Sequence, residues 1–154
     1  MSRIVVAAGL LAVAGFFLGR SRAIAAAGND YTGLHSLPAY HGSFVAFGIL
    51  APMLTIYVVG APLVAKLAQL NAASFFSPEI QSDGLRLGSA LRDAVNLWAG
   101  QYSGQPDEAL QQAAEAYGRT KLFGNWSVFG LGLLAALIAS AWCTRRITKQ
   151  FRAR

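Results

Sequence analysis

Three charge-free apolar runs, separated by polar stretches, set the plan of this chain. The first covers residues 4–19 (IVVAAGLLAVAGFFLG), between Arg3 and the pair Arg20 and Arg22. It is slightly short for a hydrocarbon core of roughly 30 Å, and arginines that snorkel at both ends lengthen its reach. The second covers residues 43–65 (SFVAFGILAPMLTIYVVGAPLVA) and is closed by Lys66. The third covers residues 122–142 (LFGNWSVFGLGLLAALIASAW), with Trp126 and Trp142 placed as an aromatic belt would place them. Each run reads as a membrane-spanning helix. Pro52 and Pro62 fall inside the second. In a soluble helix each would cost roughly 3 kcal/mol. Inside a membrane, neighbouring helices satisfy the freed carbonyls, and the proline is tolerated as a kink.

The first run has a competing reading as a signal peptide, because AIAAAG at 23–28 offers a cleavage site of the A-x-A kind. Arg20 and Arg22 stand between the run and that site, and Phe16 and Phe17 keep the run bulky to its end. The run is therefore read as a retained span.

Residues 67–121 follow another pattern. In "SPEIQSDGLRLGSALRDAVNLWAGQYSG", Leu87, Leu91, Val95 and Trp98 recur at helical spacing, with Ala94 beside them. Pro106 then opens "PDEALQQAAEAYGRT". Proline followed by Asp107 and Glu108 suits a first helical turn, where the missing N–H costs little and negative charge meets the positive end of the dipole. Ala109, Ala113, Ala116 and Tyr117 make a thin apolar stripe. The segment is predicted to be a hairpin of two amphipathic helices, joined at Ser-Gly-Gln-Pro, that caps the spans. No converging set of charged or aromatic residues marks it as a sensory pocket.

Composition supports a membrane. Hydrophobic residues make up 55% of the 154 and charged residues only 13%, against roughly a quarter charged in an average soluble domain. The net charge of +6 would hint at nucleic acid in a soluble protein. Here Arg145, Arg146, Lys149, Arg152 and Arg154 crowd just beyond the third run, which marks a cytoplasmic flank rather than a nucleic-acid surface. With three spans, the 20–42 loop then lies in the cytoplasm too, and Arg20 and Arg22 agree. The 67–121 segment, mildly acidic, lies outside.

Candidate chemistry is sparse. Cys143 is the single cysteine, so neither an internal disulfide nor a multi-cysteine zinc site is available; it is read as a small residue at the membrane interface. The stretch "LHSLPAYHG" at 34–42 places His35, Ser36, Leu37, Pro38, Tyr40, His41 and Gly42 between two spans. A helical zinc pair needs histidines at i and i+4, whereas His35 and His41 are six apart across Pro38. Ser36 has no third group to orient a base and no glycine-rich elbow to present it. No phosphate-cradling G-x-x-x-x-G-K-[ST] loop occurs. The stretch is therefore read as a shaped connector without catalytic, metal or cofactor residues. Ser36, Leu37 and Pro38 break one helix and start the next, and Tyr40 and His41 lie at the lipid–water boundary. Gly42 and Gly48 let the second span pack closely on a neighbour. Gly15 and Gly19 form a G-x-x-x-G pair, and Gly124, Gly130 and Gly132 precede Ala135 and Ala136. These small faces are expected to serve, in part, a partner.

Two stretches, "AGFFLGRSRAIAAAG" and "LHSLPAYHGSFVAFGILAPML", resemble the N-terminal extension of PstC-type permeases of bacterial phosphate ABC transporters. That extension has a helix ending in G-R-x-R-A, an L-H-S-L-P-x-Y-x-G loop and a proline-containing span. The closing "RRITKQFRAR" resembles the basic stretch that leads into the permease core. The resemblance runs through the chain in order, with residues 67–121 generic. It implies an inner-membrane part of an ATP-driven phosphate importer with an architectural role, not an enzyme by itself and without a cofactor. It also implies membrane lipid, the permease core, a second permease subunit, a separate ATPase subunit and a periplasmic phosphate-binding protein as partners. The permease core itself is expected beyond residue 154, so no transport residue is carried over.

The expected fold is all-α, an integral membrane protein with three transmembrane helices and a periplasmic helical hairpin. Its expected parts are residues 1–66 (two spans joined by a cytoplasmic loop), 67–121 (periplasmic) and 122–154 (third span and basic tail). The rival reading from another class is the membrane input domain of a signalling protein, with a simple membrane anchor third.

Overall fold

A computed structural model describes residues 2–28 and 37–148. Among these residues the secondary structure is entirely helical: α1 (Ser2–Ala26), α2 (Pro38–Ala73), α3 (Pro78–Ser82), α4 (Gly84–Trp98) and α5 (Glu108–Arg146). Three of them are long and apolar enough to cross a membrane: Ile4–Ala26 within α1, α2 and α5. Their windows of highest hydropathy are only 17–22% buried, so most of their apolar surface is left uncovered among the described residues. Leu10, Val13, Phe17, Phe47, Val58, Leu134, Leu137 and Ile138 all lie exposed. Water would penalise a surface of this extent; hydrocarbon does not.

The second and third apolar runs lie within longer helices. α2 has 36 residues and α5 has 39, about 54 and 58 Å at 1.5 Å per residue, well beyond a core of roughly 30 Å. The divisions expected at 66/67 and 121/122 fall inside α2 and α5. The second arm of the hairpin is thus the first turns of α5, which runs on without a break into the apolar run. No helix breaker stands between Tyr117 and Phe123: Gly118 is tolerated in a helix whose neighbour Trp98 packs on it. α2 likewise continues through Pro52 and Pro62 as one helix.

The chain forms two compact units, residues 1–58 with 129–154, and residues 59–128. In the first, α1, α2 and α5 share a core of Ala8, Ala23, Val45, Ile49, Met53, Ala136, Cys143 and Ile147. Ala8, Ala23, Ala136 and Cys143 are small, which lets helices approach closely in lipid, where packing rather than water expulsion holds them together.

In the second unit, Ala68 and Ala72 of α2 meet Leu110, Ala113, Ala114 and Tyr117 of α5, with Phe76 and Ala94 completing the core. Asn71 Nδ2 donates to Thr120 Oγ1 at 2.8 Å, a polar tie between α2 and α5. Leu87, Leu91 and Val95 pack against this core, partly buried, as their spacing predicts. The ends of α4 are set by local chemistry. Asp83 accepts from the backbone N–H groups of Leu85 and Arg86, which fills donors that a helix start leaves unpaired. Gly100, at φ 71°, ends the helix in the left-handed conformation that glycine adopts without strain. Asp107 Oδ1 accepts from Leu110 N at 2.8 Å and does the same for α5.

Candidate functional site: a glycine crossing at the histidine motif

The motif's described part begins at Leu37, while His35 and Ser36 lie outside the described residues. Pro38 opens α2, where its fixed φ is already helical. Tyr40 N donates to Leu37 O at 2.9 Å, closing the first turn. Leu37 and Tyr40 are exposed, at 66% and 56%. His41 turns the other way. It is fully buried. The reason is helical phase: one residue past Tyr40 rotates the side chain by about 100°, off the open face, and the His41 carbonyl comes against Gly19 of α1.

Gly42 follows His41 into the same contact. A Cβ on Gly42 would lie 2.7 Å from the carbonyl oxygen of Phe16 and 2.8 Å from Phe16 Cδ2. On the facing helix, a Cβ on Gly19 would lie 2.6 Å from the carbonyl oxygen of His41 and 3.0 Å from Gly42 Cα. Gly15, one turn earlier, receives Ile49 and Val45. α1 and α2 therefore cross backbone to backbone, and the two glycine sets fit each other. Further along α2, Gly48 faces Cys143 Sγ, where a Cβ would lie at 2.5 Å, and Met53 faces Gly132 of α5. Phe44 and Trp142 bring their rings to 6.4 Å.

The structure thus joins His41 and Gly42 with Gly15 and Gly19, and leaves Leu37 and Tyr40 on the surface. Gly130 meets nothing within 4 Å, so it takes no part in a crossing among the described residues. Sequence reasoning missed Phe16, whose carbonyl sits against Gly42, and the pairing of Gly48 with Cys143. The four-residue spacing of Gly15 and Gly19 announced a close approach without naming its partner. In the second unit the approach at Gly118, where a Cβ would lie 2.5 Å from Trp98, was also missed, while Gly124, named for close packing, would bring a Cβ 2.5 Å from Val64.

No group of three or more His, Cys, Asp or Glu residues able to hold a metal occurs among the described residues. His41 and Cys143 are buried among helices, and the crossing works by shape: it fixes the register of three helices.

These features define a multi-span α-helical membrane protein whose interior is given to helix packing. Residues 5–153 match the family described as Phosphate ATP-binding cassette transporter, and the chain belongs to that family. No curated protein and no solved structure matches it.

Proposed function

We propose that this chain is the N-terminal membrane part of a phosphate ABC transporter permease and that its role in ATP-driven phosphate import is architectural. The observation that carries the reading is the family match over 5–153 on a fold whose buried positions are spent on glycine crossings. The exposed apolar faces of the three spans supply surface for lipid and for the permease core. ATP hydrolysis belongs to a separate ATPase subunit, with a second permease subunit and a periplasmic phosphate-binding protein completing the assembly. The basic end of α5 and the 20–42 loop face the cytoplasm of the bacterial inner membrane, and residues 67–121 face the periplasm.

Phosphate uptake in cells that depend on this transporter tests the role. Substitutions in the crossing, such as Gly19→Leu, are expected to lower uptake in proportion to the amount of assembled transporter in the membrane. A substitution within 37–42 that abolished uptake while the assembled amount stayed constant would contradict an architectural role.

A further inference from the structure

The face of α1 turned away from α2 carries a second feature. Gly15, Gly19 and Ala23 point into the helix contacts. Phe17, Arg20, Ser21 and Ile24 recur at i, i+3, i+4 and i+7, which places them together on the opposite side. With Leu18 they line an open hollow of about 400 Å³. Its lining is mostly apolar, with Arg20 as the charged member.

Charge is divided unevenly along the chain. Six of the seven acidic residues (Glu79, Asp83, Asp93, Asp107, Glu108 and Glu115) lie in 59–128, and the seventh is Asp30. The described residues of the other unit contain Arg3, Arg20, Arg22, Arg145 and Arg146 and no Asp or Glu. The ion pairs among described residues are Arg86 with Asp83 and Arg119 with Glu115. Arg20 thus stands exposed at the end of a span with no carboxylate of its own unit, among the described residues, to neutralise it.

We propose that this hollow binds an anionic phospholipid. The headgroup phosphate accepts from the Arg20 guanidinium, with Ser21 Oγ beside it, and one acyl chain lies over Phe17, Leu18 and Ile24. A planar guanidinium suits phosphate oxygens, and a basic site at a membrane boundary is where anionic headgroups are drawn. A free phosphate ion would use the guanidinium and leave the apolar lining wet. A neighbouring transmembrane helix would have to bring its own carboxylate to the boundary. An anionic lipid supplies charge and chain in one molecule. The proposal rests on α1 being a membrane span, and carbonate extraction of membranes tests that separately: a chain released by carbonate fails the span reading, whatever its lipid content.

Native mass spectrometry of the chain released from lipid nanodiscs of mixed phosphatidylglycerol and phosphatidylcholine reads the site. One retained lipid per chain is expected. Arg20→Gln should weaken retention roughly five-fold, the size of one basic residue near an anionic surface. Arg20→Lys should keep most of it, and Arg145→Gln should leave it unchanged. Phosphatidylcholine should be retained poorly, and inorganic phosphate should not compete. Equal loss in Arg20→Gln and Arg145→Gln would mean diffuse attraction and overturn the site, as would equal retention of phosphatidylcholine or competition by phosphate. A photo-crosslinker in place of Phe17 in intact membranes gives a second reading that does not depend on the Arg20 variants. A lipid adduct is expected, and a protein adduct would assign the face to a partner helix and overturn the proposal.

Discussion

Gly19 of α1 and His41 of α2 meet so closely that a Cβ on the glycine would stand 2.6 Å from the histidine's carbonyl oxygen. Backbone atoms cannot rotate aside as a side chain can, so this approach fixes the glycine. Glycine is needed at 19 because any Cβ collides. The glycine at 42 is needed for the reciprocal reason, with Phe16 O at 2.7 Å.

Overpacking at a crossing of this kind costs typically about 1–3 kcal/mol. Gly19→Ala and Gly42→Ala are each expected to lower the thermal midpoint of the detergent-solubilised protein clearly, and Gly19→Leu to lower folded yield in membranes. Gly48→Ala should cost less, because it meets the movable Sγ of Cys143 rather than backbone. Gly130→Ala, with nothing within 4 Å, should be neutral or gain the roughly 0.5–1 kcal/mol that alanine has over glycine in a helix. Thermal unfolding followed by tryptophan fluorescence ranks the four, and a Gly130 variant as damaging as Gly19→Ala would contradict the assignment of the crossing.

α4 should depend on two local features. Asp83 caps its first turn, so Asp83→Ala is expected to cost about 0.5–2 kcal/mol locally. The exposed Arg86 partner of Asp83 adds little, since solvent-exposed pairs are weak. Trp98 lies over Gly118 and against the Tyr117 ring, with centroids 5.4 Å apart. Gly118→Val should push α4 off α5. Hydrogen exchange should then quicken across 84–98 in both variants, more in Gly118→Val, while protection of 4–19 stays as it was.

The orientation can be tested with reporter fusions after Gly42, Gly104 and Arg154. Cytoplasmic activity is expected at Gly42 and Arg154 and periplasmic activity at Gly104. The expectation comes from the basic residues around 20–22 and 145–154. Periplasmic activity at Gly42 or Arg154 would reverse the proposed placement.

Much of this fold is legible in the sequence because lipid imposes a coarse rule: a charge-free run must be helical and must reach across. The apolar spacing of Leu87, Leu91 and Val95 located α4 for the same kind of reason, since an amphipathic face needs a core to cover it. Element ends were harder to read. Nothing between Tyr117 and Phe123 tells a helix to stop, so the hairpin arm and the third span merged into α5. The partner of a glycine was not legible either. Gly15 and Gly19 announce a close approach, but Phe16 O against Gly42 depends on the register of two helices, and no spacing within one helix carries that. His41 shows the same limit: a single residue's phase separates it from the exposed Tyr40.

The central claim is that the chain is a structural part of a phosphate ABC transporter. Tagged chain expressed alone and with the family's permease core, then captured from detergent-solubilised membranes, tests it most directly. The exposed apolar faces of α1, α2 and α5 predict a chain that inserts alone but is poorly stable in detergent, and that is recovered with the core as a stable complex. A chain that is monodisperse and thermally robust alone, and that leaves the core in the flow-through, would contradict the claim.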